Sequence, residues 1–210
     1  MFHVEQTPWT PERFQHVFAV DAVVMRQLFR YAELLAEWQQ QMNLVGPATL
    51  ADLWGRHFAD SAQLALHASL SGKWLDIGAG GGFPGMLLAI LGAGQVVLVE
   101  SIAKKARFLL AIRDELGLQD RVSVLHGRIE QLPPVAADVI TARAVAALDR
   151  LLDWSLPHAG SDAMLLFPKG RRWQEEIAAA RKRFSFDLAV LPSKTDAEAR
   201  ILRVAKLKRR

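Results

Sequence analysis

The 210 residues of this chain, 51% of them hydrophobic, are enough for one large domain, or for a core domain with a smaller appendage, but not for two full-sized domains. The chain has no cysteine, which excludes disulfides, thiolate metal sites and thiol catalysis, and its formal net charge is +4. No apolar run approaches the roughly eighteen residues of a membrane span and no signal-peptide pattern is present, so we expect a cytoplasmic protein without membrane contact.

The charge is distributed unevenly along the chain. Residues 1–168 hold 13 Lys and Arg against 17 Asp and Glu, whereas residues 169–210 hold 13 against 5. The C-terminal segment therefore carries a net charge of +8, which favours a polyanionic partner because neutralised phosphates release counterions. Charge alone leaves a solvated basic surface as an equal alternative to a nucleic-acid contact.

The N-terminal third is predicted to be helical. Apolar residues recur at steps of three and four on one stripe of a helix that begins near Asp21 and ends before Gly46-Pro47, namely Val24, Leu28, Tyr31, Leu35, Trp38 and Met42. A second helical stretch is expected from about Thr49 to Ser69. We therefore predict a helical cap over residues 1–72.

From residue 73 onwards the pattern is typical of an α/β fold. Short apolar runs are expected to form strands at 74–77, 96–99, 122–125, 138–140 and 164–167, with helices between them near 84–92, 102–117, 147–156 and 171–183. This alternation predicts a mostly parallel sheet with helices on both faces, in a core spanning residues 73–210. The last two strands, near 184–191 and 200–207, have no helix between them and should form an antiparallel hairpin.

The densest chemical signal is the segment from Leu75 to Gly85, LDIGAGGGFPG, at the turn from the first strand to the first helix of the core. Glycines there allow tight turns and a close approach of the backbone to a ligand. Read from Gly80, the segment also satisfies G-x-G-x-x-G, so the pattern does not separate a dinucleotide from S-adenosylmethionine. We interpret it as a nucleotide-cofactor loop that includes Gly80.

Glu100 ends the second strand and should emerge beside the glycine loop at the carboxyl edge of the sheet. A carboxylate in that position can accept hydrogen bonds from both ribose hydroxyls of an adenosine. After the third strand, Ile129 could pack against an adenine ring and Glu130 could read its edge. That second signal is weak, because a charged loop is the commoner explanation.

Several segments occur together in a specific order: Trp38 to Leu44, Arg56 to Ser61, Leu75 to Gly85, Glu100-Ser101, Lys104-Lys105 and Arg143-Ala144. In this combination the chain resembles the bacterial 16S rRNA N7-guanine methyltransferases, the glucose-inhibited division protein B family. The resemblance runs from about residue 25 to the end of the chain. It implies a class I, Rossmann-like methyltransferase fold, S-adenosyl-L-methionine as methyl donor, and guanine 527 in the 530 loop of 16S rRNA as target. The cofactor positions that it implies are Gly78, Phe83, Ile129, Glu130 and Arg143.

Guanine N7 carries a lone pair and no proton, so we expect no catalytic general base, only residues that bind and position the reactants. Arg143 follows the fourth strand and could meet the cofactor carboxylate or an RNA phosphate. His57 and Asp60 lie three residues apart on one helical face and could order the cap, with a structural histidine as the favoured role for His57. No closely spaced ligand set indicates a metal site.

The basic residues of the C-terminal segment are the predicted contacts to rRNA phosphates. They are Lys169, Arg171, Arg172, Arg181, Lys182, Arg183, Arg203, Lys206, Lys208, Arg209 and Arg210. The partner would be 16S rRNA or the 30S subunit, and we expect the protein itself to be a monomer. Two alternatives remain open from the sequence: an NAD-type dinucleotide-dependent oxidoreductase, and an RNA-binding assembly factor without catalytic activity.

Overall fold

The computed structural model describes residues 8–210, which contain one seven-stranded sheet. Its strands are β1 (Lys73–Ile77), β2 (Gln95–Glu100), β3 (Val122–His126), β4 (Ala137–Thr141), β5 (Ala159–Lys169), β6 (Phe184–Pro192) and β7 (Arg200–Arg209). The strand order is β3-β2-β1-β4-β5-β7-β6, with β1 to β5 parallel. From β1 the chain adds β2 and β3 on one side of the sheet and then adds β4 and β5 on the other side. In open α/β sheets, ligands bind at the switch point between two such strands, which here are β1 and β4.

Helices follow the first, second, fourth and fifth strands: α4 (Gly85–Ile90), α5 (Ala103–Glu115), α6 (Leu148–Ser155) and α7 (Trp173–Ala180). The helices pack on both faces of the sheet and form two hydrophobic clusters. Residues of α4 and α5 belong to one cluster, and residues of α6 and α7 belong to the other. The predicted strands and crossover helices are therefore confirmed. No helix described within residues 8–210 is long and apolar enough to cross a bilayer.

The cap begins with α1 (Pro11–Phe18) and α2 (Ala22–Gln39). Asp21 accepts hydrogen bonds from the backbone N–H groups of Val23 and Val24, at 2.8 and 2.9 Å, and so caps the start of α2. The apolar stripe predicted for this helix faces the core, with Leu28, Tyr31 and Leu35 fully buried.

The helical stretch predicted from about Thr49 to Ser69 is present, but it is not one regular α-helix. This stretch forms a 3₁₀ helix at Pro47–Asp52, a π-helical turn at Trp54–Ala59, the short α3 (Asp60–Ala62) and a 3₁₀ helix at Gln63–Leu66. The irregular turns allow aromatic side chains to converge, because Trp54 packs edge-on against both Phe14 and Phe58, at centroid distances of 5.4 and 4.8 Å. Tertiary packing has overridden the regular helical period here, and π turns of this kind often mark functional sites.

Tyr31 joins the cap to the sheet. Its ring stacks on Phe58 and Phe83, at centroid distances of 5.6 and 5.2 Å, and its hydroxyl donates a hydrogen bond to the Gly81 carbonyl at 2.5 Å. One hydrophobic cluster runs through α1, α2 and α4, so the cap and this face of the sheet share a core. The division of the chain at residue 72 stays a prediction.

The C-terminal hairpin is confirmed, and its position in the sheet follows from its register. β7 inserts between β5 and β6, pairing antiparallel with both. Lys169 at the carboxyl end of β5 pairs with Arg200 at the start of β7, and Leu165 pairs with Val204. Since β7 runs opposite to β5, residues 206–210 lie toward the edge of the sheet opposite to the carboxyl ends of the parallel strands.

Candidate cofactor and substrate site

A cavity of about 730 Å³ lies at the carboxyl edge of the parallel strands, where the switch point of the topology predicts a ligand site. The glycine turn after β1, the end of β2, the loop after β4 and the end of β5 form its walls on the sheet side. The cap covers it with the loop at residues 44–49 and with residues of the π-helical turn. The site is thus built between the cap and the sheet edge.

The glycine turn lines this cavity with backbone. Gly78, Gly80 and Gly82 all have left-handed φ values, of +73°, +56° and +91°. A Cβ on Gly78 would approach Val145 to 2.7 Å, and one on Gly82 would meet the Tyr31 hydroxyl at 2.3 Å. A Cβ on Gly80 would instead extend into space whose nearest atoms are 3.8 and 4.0 Å away. Gly80 therefore keeps open a part of the cavity that any side chain would occupy.

Glu100 lies where the sequence predicts it, at the end of β2 and at the cavity wall. Its Oε2 accepts a hydrogen bond from the Gly80 N–H and its Oε1 one from the Ile102 N–H, both at 2.8 Å. Each carboxylate oxygen has two acceptor sites, so both retain capacity for a further donor. The side chain is 5% exposed and is held rigidly as an acceptor pair beside the glycine turn.

Ile129 and Glu130 do not line this cavity. Ile129 is 4% exposed, packs in the hydrophobic cluster on the face of α6 and α7, and accepts a hydrogen bond from His158 through its carbonyl. Glu130 is exposed. Both follow β3, whose His126 pairs with Glu100, so a ligand would have to extend past Glu100 to reach them.

Arg143 follows β4, lines the cavity and is half-buried. Its Nη1 donates to the Arg56 carbonyl at 2.6 Å and lies 3.4 Å from Asp60 Oδ2, while its Nη2 lies 2.7 Å from His57 Nδ1. These three partners all come from the cap. The predicted shared face of His57 and Asp60 is confirmed, and it serves to hold this guanidinium over the Phe83 ring, 5.2 Å from its centroid.

Lys169 differs from the prediction of an open phosphate contact. It is 8% exposed, and its ammonium donates to the Ala146 carbonyl at 2.7 Å and pairs with Glu176 at 2.8 Å. Glu176 also accepts from the Leu148 N–H at 2.8 Å, which satisfies a free donor at the start of α6. This pair therefore holds the α6 end of the loop that carries Arg143.

Six of the other predicted phosphate contacts form two separate groups. Arg171 and Arg172 are exposed near the cavity end of β5, where Arg171 pairs with Glu198 at 2.5 Å. The second group, at the opposite edge of the sheet, comprises Lys206, Lys208, Arg209 and Arg210. All four are exposed, although Lys206 pairs with Asp187 and Arg209 pairs with Asp153. About nine residues of extended strand, roughly 30 Å, separate the two groups.

The arginines of the segment at 181–183 are also partly paired. Arg183 contacts Asp149 at 3.6 Å and Asp153 at 3.0 Å. These acidic partners belong to α6 and reduce the effective positive charge of the C-terminal segment. The net charge of +8 read from the sequence therefore overstates the free charge on this surface.

Sequence reasoning assigned no role to several residues of the site. Asp76 on β1 is fully buried, and its Oδ2 accepts from the Gly85 N–H at 2.8 Å, while its Oδ1 has no partner among the described residues. Burial raises the pKa of Asp76 to about 7, against the opposing effects of that hydrogen bond and of Arg143. In the sequence, the signal that could have marked Asp76 as a site residue is its place in the LDIGAGGG motif.

Two further parts of the cavity lining were assigned no role from the sequence. The loop between β6 and β7 contributes Thr195 and Asp196, and Thr195 donates a hydrogen bond to Asp60 at 2.9 Å. Arg56 and Lys105 add positive charge to the lining, and Arg56 lies 3.6 Å from Asp196. These residues come from distant parts of the chain, so only the folded structure brings them together.

Comparison with known proteins places this geometry in a family. The GidB family model, described as rRNA small subunit methyltransferase G, matches residues 24–201. The ribosomal RNA small subunit methyltransferase G of Paramagnetospirillum magneticum is 41% identical over 200 residues, covering 95% of this chain and 97% of that protein. The protein of the same name from Cereibacter sphaeroides is 45% identical over 187 residues, covering 86% of this chain and 90% of that protein.

A solved structure of similar fold is a SAM-dependent methyltransferase from Aquifex aeolicus. It matches with a TM-score of 0.57 and 16% sequence identity, covering 82% of this chain and 97% of that chain. At this identity the likeness concerns the fold alone. It confirms the predicted class I, Rossmann-like methyltransferase fold.

Proposed function

Because this chain belongs to the GidB family, the rRNA small subunit methyltransferase G proteins, we propose that it transfers a methyl group from S-adenosyl-L-methionine to N7 of guanine 527 in the 530 loop of 16S rRNA. The observation that carries this proposal within the structure is the cavity at the sheet switch point, where Glu100 and the glycine turn face the cap. Family membership favours this reaction over the dinucleotide-dependent oxidoreductase and over the assembly factor without catalytic activity.

The residues present fit the proposed methyl donor. The open space beside Gly80 admits a ligand against the backbone, and the Glu100 carboxylate retains acceptor capacity for ribose hydroxyls. Arg143 has N–H groups beyond those that its cap partners occupy, and these could meet a carboxylate. The volume of about 730 Å³ lies in the range of small-molecule sites.

When bound, S-adenosyl-L-methionine supplies a methyl group that is already activated by its sulfonium. Guanine N7 presents a lone pair, so no side chain of this protein has to remove a proton. The work of the chain is to hold the two reactants in line and to exclude water, and such positioning contributes several kcal/mol in favourable cases. Positive charge develops on the guanine, and the paired state of Arg143 with Asp60 limits its repulsion of that charge.

Five of the residues that line the cavity are proposed as cofactor contacts, namely Gly78, Gly80, Phe83, Glu100 and Arg143. Ile129 and Glu130 remain proposed contacts for the adenine end, reached past Glu100. The proposal requires no metal ligand. We propose that the protein acts as a monomer, which sedimentation can check.

The RNA contacts are proposed in two groups. Arg171 and Arg172 lie at the cavity end of the sheet, where the proposed function requires the target guanine to enter, whereas the buried Lys169 is left out of this group. The group at residues 206–210 lies about 30 Å away along β7, so it would reach only RNA that extends well beyond the target loop.

Methyl transfer to naked 16S rRNA, 30S subunits and 70S ribosomes tests the proposed function. We expect transfer from isotopically labelled S-adenosylmethionine to at least one of the first two substrates, with the modified base mapped to guanine 527 by reduction and strand cleavage at N7-methylguanine. A 16S rRNA carrying adenine at position 527 is the matched control and should accept no label. Labelling that persists on this control, or no labelling of any substrate, would contradict the proposal.

A further inference from the structure

His57 occupies a central place between the cap and the sheet. It lies in the π-helical turn at Trp54–Ala59, is 6% exposed and lines the cavity. Its ring packs against Phe83 with a centroid distance of 5.1 Å. Both ring nitrogens have a partner within 2.7 Å: Thr49 on one side and Arg143 on the other.

The hydrogen-bond partners determine the tautomer of His57. The Thr49 hydroxyl has one proton and donates it to the Gly46 carbonyl at 2.6 Å, so it can only accept at His57 Nε2. Nε2 must therefore carry a proton. Arg143 has no acceptor atom on its guanidinium, so His57 Nδ1 must offer a lone pair to Nη2. Both contacts require the neutral Nε2–H form.

The electrostatic surroundings agree with this form. Burial, together with the smaller effects of the Arg143 and Arg56 charges, lowers the pKa of His57 to about 3. A protonated ring would direct an N–H at the guanidinium, and the Arg143 contact would be lost. The ring thus acts as an acceptor toward Arg143 and as a donor toward Thr49.

The result is a directional chain of hydrogen bonds from the sheet to the cap. Arg143 donates to His57, His57 donates to Thr49, and Thr49 donates to the Gly46 carbonyl. Its two ends, Arg143 and the loop at residues 44–49, each form part of the cavity wall. The position of one wall therefore depends on the other through a single imidazole ring.

We propose that His57 is a positioning residue for methyl transfer, which holds Arg143 so that its free N–H groups face an anionic group of the ligand in the cavity. This role rests on the proposed function, since the ligand is taken to be the methyl donor. His57 itself touches no reacting atom. Its contribution is to fix the guanidinium and the cap loop in one arrangement before the ligand binds.

Two substitutions separate this role from simple packing. Asn at position 57 can place an amide oxygen near the site of Nδ1, so H57N retains an acceptor for Arg143 and loses the Thr49 contact. Gln reaches the site of Nε2, so H57Q retains a donor toward Thr49 and loses the Arg143 acceptor. We expect the Kd for S-adenosylhomocysteine, measured by calorimetry, to rise about tenfold or more in H57Q and no more than about threefold in H57N, because a hydrogen bond to a charged group is lost in the first variant only.

The KM for the methyl donor should follow the same order, with a smaller change in kcat. Equal increases of Kd in H57Q and H57N would overturn the positioning role. A loss of affinity that follows the loss of melting temperature in each variant would also overturn it. T49V changes little volume at a half-buried position and is expected to raise the same Kd by about two- to threefold, as in H57N and less than in H57Q, because T49V and H57N lose the same Thr49 link of the chain. Unchanged affinity in T49V would contradict the chain of hydrogen bonds.

A measurement on the free protein tests the tautomer without any ligand. Long-range ¹H–¹⁵N NMR spectra at neutral pH should show the Nε2–H form of His57, identified by its disappearance in H57N. An Nδ1–H or protonated ring would overturn the inference even if the wild type binds the methyl donor. If the Nε2–H form is present but the wild type does not bind S-adenosylmethionine, the proposed function and the positioning role that depends on it both fail.

Discussion

The Glu100 carboxylate accepts a hydrogen bond from the Gly80 backbone N–H at 2.8 Å, which joins the end of β2 to the turn after β1. The two residues that the sequence marks as the strongest cofactor candidates are thus in direct contact. Their contact holds the glycine turn open on the side of the cavity. A change at either residue should therefore act on the same ligand.

Replacing Glu100 by Gln is expected to weaken S-adenosylmethionine binding by about 1–3 kcal/mol, the range for a charge-assisted hydrogen bond, since the amide offers one acceptor oxygen where the carboxylate offers two. Calorimetric titration measures the change. E175Q is the matched control, because Glu175 is exposed and does not line the cavity, and its effect should be well below that of E100Q. Equal affinity of E100Q and wild type would place the ribose elsewhere.

Replacing Gly80 by Val should abolish detectable S-adenosylmethionine binding, because the side chain would fill the open space of the cavity. The left-handed φ of +56° adds backbone strain of about 1–3 kcal/mol. G117V provides the control, since Gly117 has a similar φ of +66° with nothing within 4 Å of its added Cβ and lies outside the cavity. We expect similar losses of stability in urea denaturation for the two variants and a loss of binding in G80V alone.

Asp76 should make the stability of the protein depend on pH. In the folded state this carboxyl keeps its proton up to about pH 7, whereas in the unfolded chain it loses the proton near its ordinary value of 3.8. Between these values only the folded state binds the proton, so raising the pH favours unfolding. By pH 8 this ionisation should lower the free energy of unfolding by about 4 kcal/mol, at about 1.36 kcal/mol for each pH unit between the two pKa values.

The comparison that isolates this effect is wild type against D76N in urea denaturation at pH 5, 6, 7 and 8. Asn can still accept from the Gly85 N–H and does not titrate. The free energy of unfolding of wild type minus that of D76N should fall as the pH rises to 7 and then level off. A difference that stays constant or grows with pH would show that Asp76 is ionised in the folded state.

The two basic groups should differ in the length of RNA that they require. Replacing Lys206, Lys208, Arg209 and Arg210 with Gln should leave the salt dependence of binding to a short 530-loop hairpin unchanged, because these residues lie roughly 30 Å from the cavity end of the sheet. On a long 16S rRNA fragment the slope of log affinity against log salt should flatten by about 0.7 for each lost phosphate contact. Binding assays at several salt concentrations measure both slopes.

R171Q combined with R172Q is the companion variant for that experiment. It should flatten the slope on both RNAs, since these arginines are near the cavity mouth. The variant at residues 206–210 could instead weaken hairpin binding as strongly as the double variant R171Q and R172Q does. That result would mean that the target loop approaches from the opposite edge of the sheet. If wild type and both variants show the same slope of log affinity against log salt, these charges do not contact RNA phosphates and serve only to keep the protein soluble.

Much of the site could be predicted from the sequence because its requirements are local. A strand that ends in Asp76-Ile77 and turns through glycines needs residues that tolerate left-handed φ, and only glycine does so at little cost. The alternation of strands and helices likewise places Glu100 at the carboxyl edge before any contact is known. The order of elements, the glycine turn and the edge position of Glu100 and Arg143 follow from such rules.

Only the tertiary structure decided what the charged side chains contact. Lys169 belongs by sequence to a basic cluster, yet the packing of α7 on β5 buries it beside Glu176. Arg143 finds its partners in the π-helical turn, more than 80 residues earlier, where the regular helical period breaks down. The insertion of β7 between β5 and β6 sends residues 206–210 to the far edge of the sheet. Local patterns determine backbone conformation, whereas charge partners depend on which distant segments the hydrophobic core brings together, and the amino-acid order near each charge carries no record of that.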